Sequence, residues 1–119
     1  MLPIRPLEII NKAKSLIEII KKPGKERKKR AGEFLRKEKD SQKIKELITQ
    51  KVSNNKSALE EAAVYSDELS LPKDKKFSKN KKMVKTLLSY SDDTGKKLAE
   101  EIEKLNTHEE LKEKIKDFI

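Results

Sequence analysis

The sequence predicts an all-α protein, an irregular bundle of six to seven short helices forming a single domain over residues 1–119. Three observations carry this expectation. Apolar residues recur at i, i+3, i+4 and i+7 through most of the chain, and no segment alternates apolar and polar residues long enough to form a strand. Helix-start and helix-stop signals punctuate the chain every ten to twenty residues or so. Leu, Ile, Val and Phe supply 30 of the 119 residues, above the ~20% typical of disordered chains. The core they form is aliphatic, because aromatic residues make up only 4% and Trp is absent.

The elements follow in order. Pro3 and Pro6 frame an extended start, and Pro6 suits the first turn of a helix, where its missing N–H removes no hydrogen bond. Ile9, Ile10, Ala13, Leu16, Ile17 and Ile20 then share one helical face, widened by Ile19, until Pro23 and Gly24 end the run. A second helix is expected from about Lys25 to Lys39, with Ala31, Phe34 and Leu35 as its few apolar contacts. The next apolar set, Ile44, Leu47, Ile48 and Val52, points about 120° away from the first on a straight helix. One rod cannot bury both, so a break is expected at Asp40 and Ser41, either of which caps a new helix.

"SNNKS" at 53–57 reads as a turn, and Ser57 with Glu60 forms a capping box. The helix it opens carries Leu59, Ala62, Ala63, Ser66 and Leu69 on one side and stops at Pro72. Residues 72–82, "PKDKKFSKNKK", have the polarity of an exposed loop, after which Met83, Val84, Leu87 and Leu88 mark another helix. "SDDTG" at 91–95 breaks the chain and caps a helix bearing Leu98, Ile102 and Leu105. Thr107 and Glu110 make a second capping box, opening a last helix with Leu111, Ile115, Phe118 and Ile119.

Catalytic chemistry finds little purchase. Without cysteine there are no disulfides, thiolate nucleophiles or cysteine-ligated metals. His108 is the lone histidine; with no second His or Cys to complete a transition-metal site, it reads as a solvated first-turn residue. "SDDTGKKLAEE" lacks the alternating ligands and distal Glu of a calcium loop, so Asp92 and Asp93 read as caps at a helix N-terminus. Three glycines leave no phosphate-binding or dinucleotide fingerprint. The expectation is a non-enzymatic protein with no catalytic residues, cofactor or metal. No apolar run reaches the ~20 residues that span a bilayer, and the N-terminus lacks the pattern of a secretory signal, so the cytoplasm is the expected location.

Charge is the distinctive feature. The net charge is +9, concentrated in residues 21–51 and 73–85, while the remaining segments are near neutral or acidic. The candidate polyanion-binding residues are Lys21, Lys22, Lys25, Arg27, Lys28, Lys29, Arg30, Arg36 and Lys37 in the first block. In the second they are Lys73, Lys75, Lys76, Lys79, Lys81, Lys82 and Lys85. Basic residues crowded into the start of a helix oppose its macrodipole, a penalty that an anionic partner relieves. Nucleic acid, DNA or RNA, is the first candidate partner, because phosphate neutralisation releases counterions without sequence readout. Lysine predominates over arginine and aromatics are scarce, which argues against bidentate base reading and base stacking. An acidic protein surface is the second candidate, with the chain as adaptor or inhibitor, and membrane phospholipid ranks third for lack of an aromatic anchor.

The helices expected at 92–106 and 107–119 have the outline of a helix-turn-helix. The second of them balances Glu109, Glu110, Glu113 and Asp117 against Lys112, Lys114 and Lys116, which favours a hairpin closing the bundle over a groove-reading helix. Its short acidic run is similar to the acidic tails of some bacterial type IV secretion effectors; that resemblance implies a secreted effector docking on a partner protein.

Overall fold

The computed structural model describes residues 7–22, 26–52, 56–64 and 72–119, the side chains of Lys73 and Asp74 excepted. These residues form seven α-helices and no strand: α1 Leu7–Lys21, α2 Arg27–Arg36, α3 Ser41–Thr49, α4 Ala58–Val64, α5 Lys73–Ser89, α6 Asp93–Glu103 and α7 His108–Phe118. The all-α irregular bundle expected from periodicity is the fold observed. The Cα radius of gyration of 13.5 Å is that of a compactly folded chain of this length, about 13–14 Å.

Each apolar stripe is buried. Ile9, Ala13, Leu16, Ile17 and Ile20 of α1 meet Ile44, Leu47 and Ile48 of α3 and Leu59, Ala62 and Ala63 of α4 in one continuous core. Met83, Val84, Leu87 and Leu88 of α5 pack into the same core, joined by Leu98 and Ile102 of α6 and Leu111 and Ile115 of α7. Burying each such aliphatic side chain contributes about 1.5–3 kcal/mol against the entropy of ordering a polar chain. α5 packs against α2, α3, α4 and α6, so its buried face organises half of the bundle.

The caps lie where the residue types placed them. Asp40 is extended, and its Oδ1 accepts from the Gln42 N–H at 3.0 Å, separating α2 from α3 at the expected break. The Ser57–Glu60 box is reciprocal: the Glu60 N–H donates to Ser57 Oγ at 3.3 Å and the Ser57 N–H to Glu60 Oε1 at 3.0 Å. Asp92 Oδ1 accepts from the Gly95 N–H at 3.1 Å, and Thr107 Oγ1 from the Glu110 N–H at 3.2 Å. Glu110 does not return its carboxylate to the Thr107 N–H; Oε1 accepts instead from Thr107 Oγ1 and the Asn106 N–H. Gly95 is required by space: a Cβ there would stand 1.8 Å from Ser91 Oγ and 3.2 Å from the Leu88 carbonyl, where α6 starts against the end of α5.

Several expectations need correction. Residues 73–82 are not a loop but the first ten residues of α5. Pro72 is extended (φ −59°, ψ 155°), and its carbonyl accepts from the Lys76 N–H at 3.0 Å, so it starts a helix. Polarity misled because only one face of this segment is wet; Phe77 and Asn80 continue the buried stripe of Met83 and Leu87 backwards at helical spacing. α2 is shorter than the expected 25–39, starting at Arg27 and ending at Arg36. Val52 lies beyond the end of α3, though it still packs on the core. The expectations for Pro3, Pro6, Pro23, Gly24 and the 53–55 turn fall outside the described residues, as do Ser66 and Leu69.

His108 stands in the first turn of α7 as expected but is half-buried rather than solvated. Its ring lies edge-on to Phe77, with centroids 5.1 Å apart and planes at 71°. Asn80, buried with 3% exposure, places its Nδ2 3.1 Å from the Ala63 carbonyl, to which it donates, and 3.3 Å from His108 Nε2. One amide thereby joins the last turn of α4, the middle of α5 and the start of α7. Replacing it with Ala strands the Ala63 carbonyl. Asn80→Ala is expected to lower the free energy of unfolding by about 1–3 kcal/mol in urea titration, with native helicity retained before the transition.

Candidate polyanion-binding surface

The sequence-selected cations divide into three groups once the chain is folded. The first is turned inward or matched. Arg27 is buried, with 9% exposure, and its Nη1 donates to the Ile20 carbonyl at 3.4 Å, closing an open carbonyl in the last turn of α1. Lys81 Nζ donates to the carbonyls of Glu103 and Leu105 at 3.1 and 3.3 Å and lies 5.4 Å from the Phe77 ring centroid. Lys85 pairs with Glu103, and Lys21 lies 3.9 Å from Glu61. The Lys85 hydrogen bond, reinforced by its charge, holds the Glu103 carboxyl below the usual carboxylate range. Arg36 Nε donates to the Tyr90 hydroxyl at 3.3 Å, its guanidinium 5.9 Å from that ring's centroid, which clasps α2 to the end of α5. Gly32 makes room for the clasp, since a Cβ there would stand 2.8 Å from the Tyr90 hydroxyl.

The second group lies at or near the surface. Lys22, Lys28, Lys29, Lys37, Lys75 and Lys82 are exposed and make no ion pair with another described residue. Lys76 is half-buried and likewise makes none. Lys79 is exposed. Lys75, Lys79 and Lys82 fall at i, i+4 and i+7, a single stripe on α5 opposite Asn80, Val84 and Leu87. The third group, Lys25 and the side chain of Lys73, lies outside the described residues.

The start of α2 differs electrostatically from the starts of α1, α3, α4, α6 and α7. α1, α4, α6 and α7 each carry an acidic residue in the first turn, and α3 is capped by Asp40. α2 has no acidic residue there, and its N-cap Glu26 makes no side-chain capping bond. Its first turn is Arg27, Lys28 and Lys29, followed by half-buried Arg30, whose Nη1 is enclosed without an acceptor. Uncapped N–H groups, positive end-dipole and clustered cations thus coincide. α2 packs against α5, so the two basic blocks occupy neighbouring helices.

Residue type and spacing located the exposed cations but not their pairing. Glu103, Glu61 and Tyr90 engage Lys85, Lys21 and Arg36 through contacts between residues 18 to 54 positions apart, which local sequence does not encode. Sequence reasoning also missed a cleft between α4 and α7; its only signal was the i, i+4 spacing of Lys112 and Lys116. Among the described residues, no group of three or more His, Asp or Glu side chains is arranged to hold a metal ion, and no helix is long and apolar enough to cross a membrane. No family model, curated protein or solved structure matches the chain.

The geometry separates structural from surface cations. Arg27→Ala is expected to lower stability by about 1–3 kcal/mol in urea titration. Lys28→Ala, on the exposed side of the same turn, should change it by no more than about 0.5 kcal/mol.

Proposed function

We propose that this chain is a non-enzymatic binding protein that contacts nucleic-acid phosphates, with little sequence preference, through the start of α2 and the outer stripe of α5. The observation that carries the reading is the uncapped, acid-free first turn of α2, with Lys28 and Lys29 exposed and unpaired. A basic helix start costs a few tenths of a kcal/mol or more, which a phosphate at that helix start would reverse. The α5 stripe of Lys75, Lys79 and Lys82 supplies further charge on an adjoining helix. Ammonium groups on flexible stems suit backbone phosphates and supply no base-reading fork. The scarcity of aromatics favours duplex over stacked single strands.

On this reading, log affinity for a mixed-sequence DNA duplex falls linearly with log salt, by about 0.9 per phosphate neutralised. Replacing Lys28, Lys29, Lys75 and Lys82 with Gln should weaken binding in fluorescence anisotropy, with helicity unchanged. The salt slope should flatten by about 0.9 for each phosphate that the variant no longer neutralises. Equal affinity and slope for the variant would refute the assignment of these lysines.

A further inference from the structure

We propose that the groove between α4 and α7 docks an acidic peptide segment of a partner protein, one apolar side chain seated between flanking carboxylates. The groove has a volume of about 410 Å³, at the small end of the roughly 300–1,000 Å³ range of ligand sites. Its floor is aliphatic: Ala63, Val64 and Ile115. Its rim is cationic: Lys51 and Lys56 from the approach to α4, Lys112 and Lys116 from α7.

Three of the four lysines are unmatched among the described residues. Glu60 is the one carboxylate lining the groove among the described residues, and it already accepts from the Ser57 N–H and lies 3.9 Å from Lys51. Lys56, Lys112 and Lys116 are exposed and make no ion pair with a described residue. Lys112 and Lys116, four residues apart on α7, line the groove; Glu109, Glu113 and Asp117 follow the adjoining side of the helix and make no ion pair with them. Like charges at that spacing destabilise a helix by a few tenths of a kcal/mol, and carboxylates brought by a partner would remove the repulsion.

The same features select the occupant. The four lysines come from two segments, two before α4 and two on α7, which fits carboxylates spread along a peptide better than one convergent headgroup. The floor offers no aromatic face for a nucleobase. It is recessed, whereas membrane insertion needs protruding apolar side chains. None of the groove residues belongs to the α2 and α5 surface, so the two sites are separable.

The test uses the full chain and a fluorescein-labelled octapeptide of glutamates interrupted by two leucines. Anisotropy should show saturable binding, and methyl NMR should show shifts at Val64 and Ile115. Lys112→Glu with Lys116→Glu should weaken binding about tenfold or more, and Lys28→Gln with Lys29→Gln should leave it unchanged. If the double Glu variant loses helicity, Lys112→Gln with Lys116→Gln takes its place, with a loss of about threefold or more expected. The proposal is overturned if an all-glutamate octapeptide binds as well, if the methyl signals do not move, or if the groove variants bind like the parent. It is equally overturned if duplex DNA or phosphatidylglycerol vesicles move the same methyl signals as strongly as the peptide.

Discussion

One constraint shapes this structure: α5 must be dry on one side and wet on the other along 17 residues that are mostly charged or polar. Its dry side, from Asn80 through Met83, Val84, Leu87 and Leu88, is enclosed by α2, α3, α4 and α6. Its wet side carries Lys75, Lys79 and Lys82. Between the two, Lys81 and Lys85 turn sideways onto the end of α6 and Arg36 reaches across to Tyr90, so the flanks of the helix are stitched to its neighbours. The one deeply buried side-chain amide among the described residues, Asn80, ties the end of α4 to the start of α7. A buried polar junction of this kind specifies one arrangement among the many that an aliphatic core would tolerate.

Part of the positive charge is matched by carboxylates and part of it faces water. Where lysines meet carboxylates, many do so between segments far apart in sequence: Lys12 with Glu38, Lys21 with Glu61, Lys45 with Asp92, Lys114 with Glu101. Such surface pairs contribute little to stability individually. Lys14, Lys39, Lys43, Lys96, Lys97 and Lys104 are also exposed without an ion pair to a described residue, so the start of α2, the outer stripe of α5 and the α4–α7 groove are local groupings on a broadly cationic surface. The groove sets the aliphatic side chains of Ala63, Val64 and Ile115 among its lysines, which is the physical basis for assigning it a different partner from the α2 and α5 surface.

Much of the fold was legible because capping and breaking are local. Ser57 with Glu60, Asp92 before Gly95, and Asp40 at the α2–α3 break all act within three residues, and each is found as its chemistry requires. Residues 73–82 were illegible by polarity alone, because a helix needs apolar residues on one face only, and here Phe77 and Asn80 supply it. His108 and Arg27 were misread for the complementary reason. Each resembles a surface residue in its local sequence and is claimed by a distant partner, Asn80 with Phe77 in one case and the Ile20 carbonyl in the other. The candidate surface was legible as a set of cations, and only tertiary contacts showed which of them remain available.

The central claim is that α5 is an ordered helix from its lysine-rich first turns onward and that its outer stripe, with the start of α2, meets a polyanion. Residue-resolved amide hydrogen exchange, with and without a mixed-sequence DNA duplex, tests both halves at once. The account predicts that amides of residues 77–82 are already protected in the free chain and exchange more slowly still, together with those of 28–32, when duplex is added. Exchange of 77–82 at the rate of an unstructured chain, or protection by duplex at neither helix, would contradict it.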